Sequence, residues 1–113
     1  PDDTVVTTWR LDGHPDHEAC GLAAAGAARR AGALLWEAPV WMWHWAEPEH
    51  PKVPWHRLCA FQPPAGAAAA KQAALARHRS QLAERGQGLA PVLDGAILER
   101  ARWPLEYFFL PGA

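Results

Sequence analysis

The densest group of reactive side chains lies in the six-residue segment Gly13–Glu18, whose sequence is Gly-His-Pro-Asp-His-Glu. Two imidazoles, His14 and His17, stand three residues apart, with the carboxylates of Asp16 and Glu18 beside them. Neutral imidazole is a common metal ligand, and a neighbouring carboxylate often orients it. These residue types and this spacing indicate a metal site. The two histidines either approach one ion together or divide between the metal and a substrate.

The same segment also fits an ordinary helix start. Asp16 can cap a helix, and carboxylates near its first turn suit the positive end of the helix dipole. The histidines would then be exposed and without a chemical role. A catalytic zinc ion needs about three protein ligands and an open position, and the segment does not supply them. Spacing alone leaves both interpretations open.

The remaining candidate ligands form no recognisable zinc motif. They lie in or beside a proline-rich loop: His44, His50, His56 and Cys59. A self-contained structural metal site built from them is a weaker alternative. His78 falls on the apolar face of a predicted helix, where a core histidine is the ordinary expectation.

Three consecutive elements would position the histidine segment. The β-branched run Thr4–Trp9 predicts a buried strand, and a helix should follow from Asp16 to about Ala31, stopped by Gly32. Leu34–Ala38 predicts the next strand. This order indicates a βαβ unit with a parallel sheet. Ligands bind beyond the carboxyl ends of such strands, which is where the two histidines fall.

The alternating segment Val40–Trp45 predicts a strand with three tryptophans on one face, Trp41, Trp43 and Trp45. Such a face could stack against a sugar, although packing in the core is the usual role of aromatic side chains. It defines the alternative function, a non-catalytic carbohydrate-binding or interaction module.

The rest of the chain predicts two helices and a strand. One helix should run from Ala65 to Arg85, and Asp94 should cap a shorter one that ends near Arg102. Leu105–Leu110 predicts a terminal strand.

Composition narrows the class of protein. The 113 residues suit one domain or part of one, and a net charge of −1 provides no basic field for nucleic acid. No apolar run approaches the ~20 residues that span a bilayer. Cys20 and Cys59 lie far apart in apolar context, which favours free, buried thiols in a reducing compartment. We therefore expect a cytoplasmic protein that binds neither nucleic acid nor membranes.

The residues resemble a known family. Val5–Trp9 leading into Asp12–Ala19 is similar to the C-terminal signature of the PIG-L/LmbE-like zinc-dependent N-acetylglucosaminyl deacetylases. The segment His78-Arg79-Ser80-Gln81 resembles that family's late helix, and Trp103–Phe109 resembles its closing strand. The resemblance covers nearly all of the chain.

The resemblance implies an α/β, partial Rossmann-like fold, with a mostly parallel sheet flanked by helices and lacking its N-terminal strands. Residues 1–113 would be the C-terminal part of a single deacetylase domain. The implied reaction uses Zn²⁺ to remove the acetyl group from an N-acetylglucosamine-type amino-sugar conjugate. His17 would bind the metal, and His14 would stabilise the oxyanion or protonate the amine. Asp16 would orient a histidine, while His78 and Gln81 would bind substrate.

One part of the family pattern is not matched. Members carry an N-terminal Ala-His-Pro-Asp-Asp-Glu motif that supplies two further zinc ligands and the general base. Pro1-Asp2-Asp3 is superficially similar to it but has no preceding histidine. The remaining ligands and the base are therefore expected upstream of Pro1, and the chain alone is expected to be inactive.

Overall fold

The computed structural model describes residues 3–112 and divides the chain into two compact units. The first comprises the residues up to Phe61 together with those from Tyr107 onward, and the second is Gln62–Glu106. Pro1 and Asp2, which were compared with the N-terminal family motif, lie outside the described residues. The assignment of the chain to one deacetylase domain stays a prediction.

The predicted βαβ unit is confirmed, but the expectation that its first strand is buried is wrong, because that strand lies at the edge of the sheet and none of its residues is buried. Strand β1 is Thr4–Thr8, helix α1 is Pro15–Ala31 and strand β2 is Leu34–Ala38. The two strands are parallel and paired along their whole length. Helix α1 ends at Gly32, whose φ of 68° is the left-handed conformation that glycine adopts without strain. Gly21 lets the helix approach β1 closely, because a Cβ there would lie 2.7 Å from the carbonyl oxygen of Thr8.

The sheet is mixed rather than mostly parallel. Its four strands lie in the order β1-β2-β4-β3, where β3 is Leu58–Phe61 and β4 is Glu106–Phe109. Strand β4 runs antiparallel to β2, with Phe109 opposite Glu37. The α/β class with flanking helices is thus confirmed, whereas the expectation of a mostly parallel sheet is only partly met. A short apolar run predicts a strand but carries no sign of its direction.

The tryptophan-rich segment is a helix and not a strand. Helix α2 is Met42–Trp45, and a 3₁₀ turn at Trp55–Arg57 precedes β3. The segment turns because the buried carboxylate of Asp12 accepts hydrogen bonds from the backbone N–H groups of residues 40, 41 and 42. Three donors at a helix start are otherwise unpaired, so this carboxylate acts as a cap supplied from a distant part of the chain.

The core of the first unit is small and aromatic. Trp9, Met42, Val53 and Phe109 are buried, and the rings of Trp9 and Phe109 lie 4.5 Å apart between centroids. Each of these side chains contributes roughly 1.5–3 kcal/mol by leaving water. The core fixes the end of β1 against α2 and β4.

The second unit contains three short helices: α3 at Ala67–Arg77, α4 at Arg79–Leu82 and α5 at Gly95–Ala101. The single helix predicted from residue 65 to 85 is broken at His78, which is exposed, so its expected place on an apolar face is wrong. The predicted cap of α5 is confirmed, because the Asp94 carboxylate accepts hydrogen bonds from the first backbone N–H groups of that helix.

Cys20 and Cys59 are free thiols, but Cys20 is exposed on α1, so the expectation that both are buried is wrong.

Over residues 3–112, the structure contains no helix whose length and apolar character would suit a membrane crossing.

Candidate functional site

The loop between β1 and α1 carries the candidate site and is held in a tight turn. The N–H of Trp9 donates to the carbonyl of Ala38 at 2.9 Å, which extends the strand pairing to the start of the loop. Gly13 follows with a φ of +85°, and a Cβ there would lie 2.8 Å from the indole nitrogen of Trp45. Both the backbone conformation and the space therefore require glycine at this position.

Asp12 is the residue that fixes this loop. Its side chain is completely buried. Oδ1 accepts from the N–H groups of Val40 and Met42 at 3.0 and 2.9 Å, and Oδ2 accepts from Trp41 at 2.7 Å. Its backbone carbonyl accepts from the indole N–H of Trp45 at 2.8 Å. A buried carboxylate needs such donors, and these lock the loop to the start of α2.

His17 completes the set of Asp12 partners. Its Nδ1 lies 2.5 Å from Oδ2 of Asp12, while 24% of the His17 side chain remains exposed. In the neutral imidazole the proton then lies on Nδ1, facing the carboxylate, and Nε2 carries the lone pair. The hydroxyl of Thr8 donates to the His17 carbonyl at 2.8 Å and ties the first turn of α1 to β1. The imidazole is therefore oriented from both its ring and its backbone.

His14 lies beside His17. The two rings are stacked, with centroids 4.4 Å apart and an interplanar angle of 27°. Nδ1 of His14 accepts a hydrogen bond from the backbone N–H of Asp16 at 3.2 Å, which makes His14 the N-cap of α1. Because Nδ1 is an acceptor, the proton of the neutral ring lies on Nε2.

Asp16 differs from its expected role. Its carboxylate is exposed, and its contact with His14 is made by the backbone N–H. The carboxylate that orients His17 is Asp12, and the N-cap is His14. Sequence reasoning missed Asp12 because its backbone partners lie 28 to 30 positions away. The available signal was an aspartate directly before a glycine, in the loop that follows strand β1.

A second buried carboxylate, Glu37, lies on β2. Arg10 donates from Nε and from a terminal nitrogen to its two oxygens, each at 2.7 Å. A terminal nitrogen of Arg57 lies 3.6 Å from the same carboxylate. The hydrogen bonds that Arg10 donates to Glu37 raise the pKa of Arg10, because they stabilise the charged guanidinium. This cluster joins the end of β1, strand β2 and the start of β3.

A cavity of about 510 Å³ opens beside the loop. Its lining combines an indole, an imidazole and charged groups: Leu11, Gly13, Glu18, Trp45, His50 and Lys52. Glu18 is held there because its carboxylate accepts the backbone N–H of Gly13 at 3.1 Å. Neither His14 nor His17 is among the lining residues, so this space adjoins the histidine pair without containing it.

The other candidate ligands do not assemble. Over residues 3–112, no three His, Cys, Asp or Glu side chains form a group that could hold a metal ion. The ring of His44 contacts Trp41 at 4.2 Å, and that of His50 contacts Trp45 at 5.2 Å, as centroid distances. The alternative of a self-contained structural metal site gains no support from these positions.

His78 and Gln81, implied by the family resemblance as substrate-binding residues, lie in the second unit. His78 separates α3 from α4, and its carbonyl accepts the N–H of Gln81 at 3.0 Å. The carbonyl of Gln81 accepts the N–H of Leu93 at 3.0 Å. Their role in binding a substrate stays a prediction.

Comparisons of the chain with models of protein families, with curated proteins and with solved structures find no match. The resemblance to the deacetylases therefore rests on the sequence motifs alone and stays a prediction.

Proposed function

We propose that His17 is one zinc ligand of a hydrolase that removes the acetyl group from an N-acetylglucosamine-type amino sugar. The observation that carries this proposal is the 2.5 Å contact between His17 Nδ1 and the fully buried carboxylate of Asp12. Histidines that bind metals commonly donate their second N–H to a carboxylate, which sets the tautomer and the ring orientation. Nε2 of His17 is then the nitrogen that the metal takes.

The donor chemistry fits zinc, but one imidazole does not complete a site. Catalytic zinc usually has three protein ligands. Since residues 3–112 contain no group of three suitable side chains, the proposal requires further metal ligands from outside these residues. The family resemblance assigns the general base to the missing N-terminal motif as well. The parallel βαβ unit is compatible with the Rossmann-like fold of the family, which we include in the proposal.

His14 is assigned to the substrate rather than to the metal. The chemistry that zinc would supply is that of a Lewis acid, which polarises a carbonyl and makes water more acidic. With Nδ1 accepting the N–H of Asp16, His14 carries its proton on Nε2. That proton can stabilise negative charge on the acetyl oxygen as a hydrogen-bond donor. If Nδ1 instead takes up a proton and gives up the hydrogen bond from Asp16, the resulting imidazolium can donate its Nε2 proton to the departing amine.

The experiment uses the protein expressed from its complete gene. His17→Ala should lose bound zinc, because the oriented nitrogen is removed. His14→Ala should keep its zinc and lose acetate release by about 10²–10⁴-fold, the usual contribution of a proton-transfer residue. Zinc is measured by plasma mass spectrometry, and acetate release is measured with an N-acetylglucosamine conjugate.

His56→Ala is the matched control, since His56 is an exposed histidine in the 3₁₀ turn of the same unit. It should retain both zinc and activity. An unchanged zinc content in His17→Ala would contradict the assignment of His17 as a zinc ligand. Equal losses of zinc in all three variants would show that the histidines act through stability alone.

A further inference from the structure

Four aromatic rings form a continuous row that starts at the proposed metal ligand. His17 stacks on His14, and the ring of His14 meets that of Trp41 edge-on at 5.8 Å between centroids. The ring of His44 lies 4.2 Å from Trp41 on the same measure. Trp41 nevertheless keeps 38% of its surface exposed. A partly open indole therefore stands next to the imidazole assigned to the substrate.

The neighbouring tryptophans are used differently. The indole N–H of Trp45 donates to the Asp12 carbonyl, and that of Trp43 donates to the carbonyl of Pro39. Both are half-buried and pack against the core of the first unit. Trp41 instead anchors to Asp12 through its backbone N–H, at 2.7 Å. The structure thus holds the backbone of Trp41 firmly while leaving part of its indole open.

We propose that Trp41 is a substrate-binding residue on which the pyranose ring of the amino sugar stacks, beside His14. This inference rests on the proposed function. The negative face of an indole attracts the positively polarised C–H groups of a sugar, and Trp offers a large rigid surface for them. The flanking imidazoles of His14 and His44 can exchange hydrogen bonds with the sugar's hydroxyl and amide groups.

The test is a titration with methyl N-acetyl-β-D-glucosaminide, followed by saturation-transfer NMR on protein freed of metal by chelation. Trp41→Ala should weaken binding roughly 3- to 10-fold, the range expected for loss of one aromatic contact. Trp41→Phe should retain most of the affinity, because it keeps an aromatic face. Saturation should reach the axial C–H protons of the sugar most strongly.

Trp103→Ala is the matched control. Trp103 belongs to the second unit and is 42% exposed, close to the value for Trp41. The guanidinium of Arg100 lies 3.7 Å over its ring. Its removal should leave sugar affinity unchanged. A second control, Lys52→Ala, alters the neighbouring 510 Å³ cavity.

The sugar affinities of the variants decide whether the sugar stacks on Trp41. Equal affinities of the wild type and Trp41→Ala, or no detectable transfer to the sugar from the wild type, overturn the inference. A loss in Lys52→Ala without one in Trp41→Ala places the sugar in the cavity and also overturns it. If Trp41→Ala does not fold, Trp41→Leu against Trp41→Phe decides, since leucine is apolar without an aromatic face.

The titration also distinguishes failure of this inference from failure of the proposed function. If sugar binding depends on Trp41 while zinc content is independent of His17, the stacking role stands and the deacetylase proposal falls. The protein would then act as a carbohydrate-binding module. If zinc content depends on His17 and sugar affinity does not depend on Trp41, the deacetylase proposal stands and the stacking role falls.

Discussion

Asp12 and Glu37 are both completely buried carboxylates in the first unit, and they are held in opposite ways. Glu37 is paired with the guanidinium groups of Arg10 and Arg57. Asp12 is surrounded by neutral backbone N–H groups and by one imidazole, that of His17. Arginine remains charged under all ordinary conditions, whereas an imidazole can be neutral, protonated or bound to a metal.

The Glu37 cluster therefore has a structural role, whereas the Asp12 cluster is suited to binding. In the bidentate pair of Arg10 and Glu37, two guanidinium N–H groups donate to the two carboxylate oxygens, and the pair joins the segment after β1 to strand β2. The pair of Asp12 and His17 ends on a ring with a second nitrogen. The Asp12 carboxylate holds Nδ1 of His17 and thereby leaves Nε2 to bind a partner. Burial alone therefore does not identify function, but the chemistry of the partner does.

The largest expected effect is on the stability of Asp12→Ala. This change leaves three backbone N–H groups and His17 without their acceptor, and we expect a loss of about 4 kcal/mol in the free energy of unfolding. Urea denaturation followed by tryptophan fluorescence measures it. Asp16→Ala, which removes an exposed carboxylate from the same segment, should cost less than about 1 kcal/mol.

Asp12→Asn makes the same comparison at the level of function. It keeps an oxygen for the backbone donors but removes the negative charge beside His17. We expect a folded protein whose zinc affinity falls by about 10- to 100-fold, the usual cost of altering the partner of a metal-binding histidine.

For the stability prediction, similar losses in Asp12→Ala and Asp16→Ala would contradict the central place given to Asp12.

The next effect concerns the Glu37 cluster. Arg10→Met should destabilise the protein by about 3 kcal/mol, because the buried carboxylate keeps only the backbone N–H of residue 10, at 3.2 Å, and the more distant guanidinium of Arg57, at 3.6 Å. Glu37→Met should cost less, since the side chains of Arg10 and Arg57 are 33% and 25% exposed and can regain water. The double variant Arg10→Met/Glu37→Met should be more stable than Arg10→Met alone. Equilibrium unfolding of all three variants provides the measurement.

Zinc content and the pH dependence of stability give two further tests of the Glu37 cluster. None of these variants should alter zinc bound at His17, in contrast to Asp12→Asn. Because its pKa is raised, Arg10 contributes fully at every pH below the ordinary arginine value, and its contribution is lost only as pH rises through the raised value. The cost of Arg10→Met should therefore be constant from neutral to mildly alkaline pH. Zinc loss in Arg10→Met would break the distinction between the two clusters.

Local patterns were sufficient for part of the fold. The β-branched run, the capped alanine-rich helix and its glycine stop predicted β1, α1 and β2 closely, because each signal lies within the element that it describes. The cap of α5 by Asp94 was predictable for the same reason. The stacked pair of His14 and His17 also follows from local spacing, since both residues belong to one helix start.

Features set by distant residues could not be predicted. Helix α2 forms where Asp12 supplies its cap, and no pattern within Val40–Trp45 reports an acceptor at least 28 positions earlier. For the same reason local spacing assigns to Asp16, the nearer carboxylate, the role that Asp12 fills. The direction of β4 depends on tertiary packing, and the break at His78 interrupts an otherwise continuous helical pattern.

The smallest predicted effect tests how tightly the Asp12 cluster is packed. Gly13 and Gly86 have φ values of +85° and +81°, but only Gly13 has a neighbour, the indole nitrogen of Trp45, within 4 Å of an added Cβ. Both alanine variants should lose about 1–2 kcal/mol from the left-handed backbone. Gly13→Ala should lose about 1 kcal/mol more, since Trp45 must give up its hydrogen bond to the Asp12 carbonyl.

A third substitution isolates that extra cost. Trp45→Phe removes the indole N–H that Gly13→Ala would displace, so in this background Gly13→Ala should cost no more than Gly86→Ala. The free energies of unfolding of the single and double variants form a closed cycle, and the coupling between positions 13 and 45 is read from it. A coupling near zero would mean that the Asp12 carbonyl and the indole are not tightly linked. The contrast with Glu37 would then rest on the Asp12 carboxylate alone.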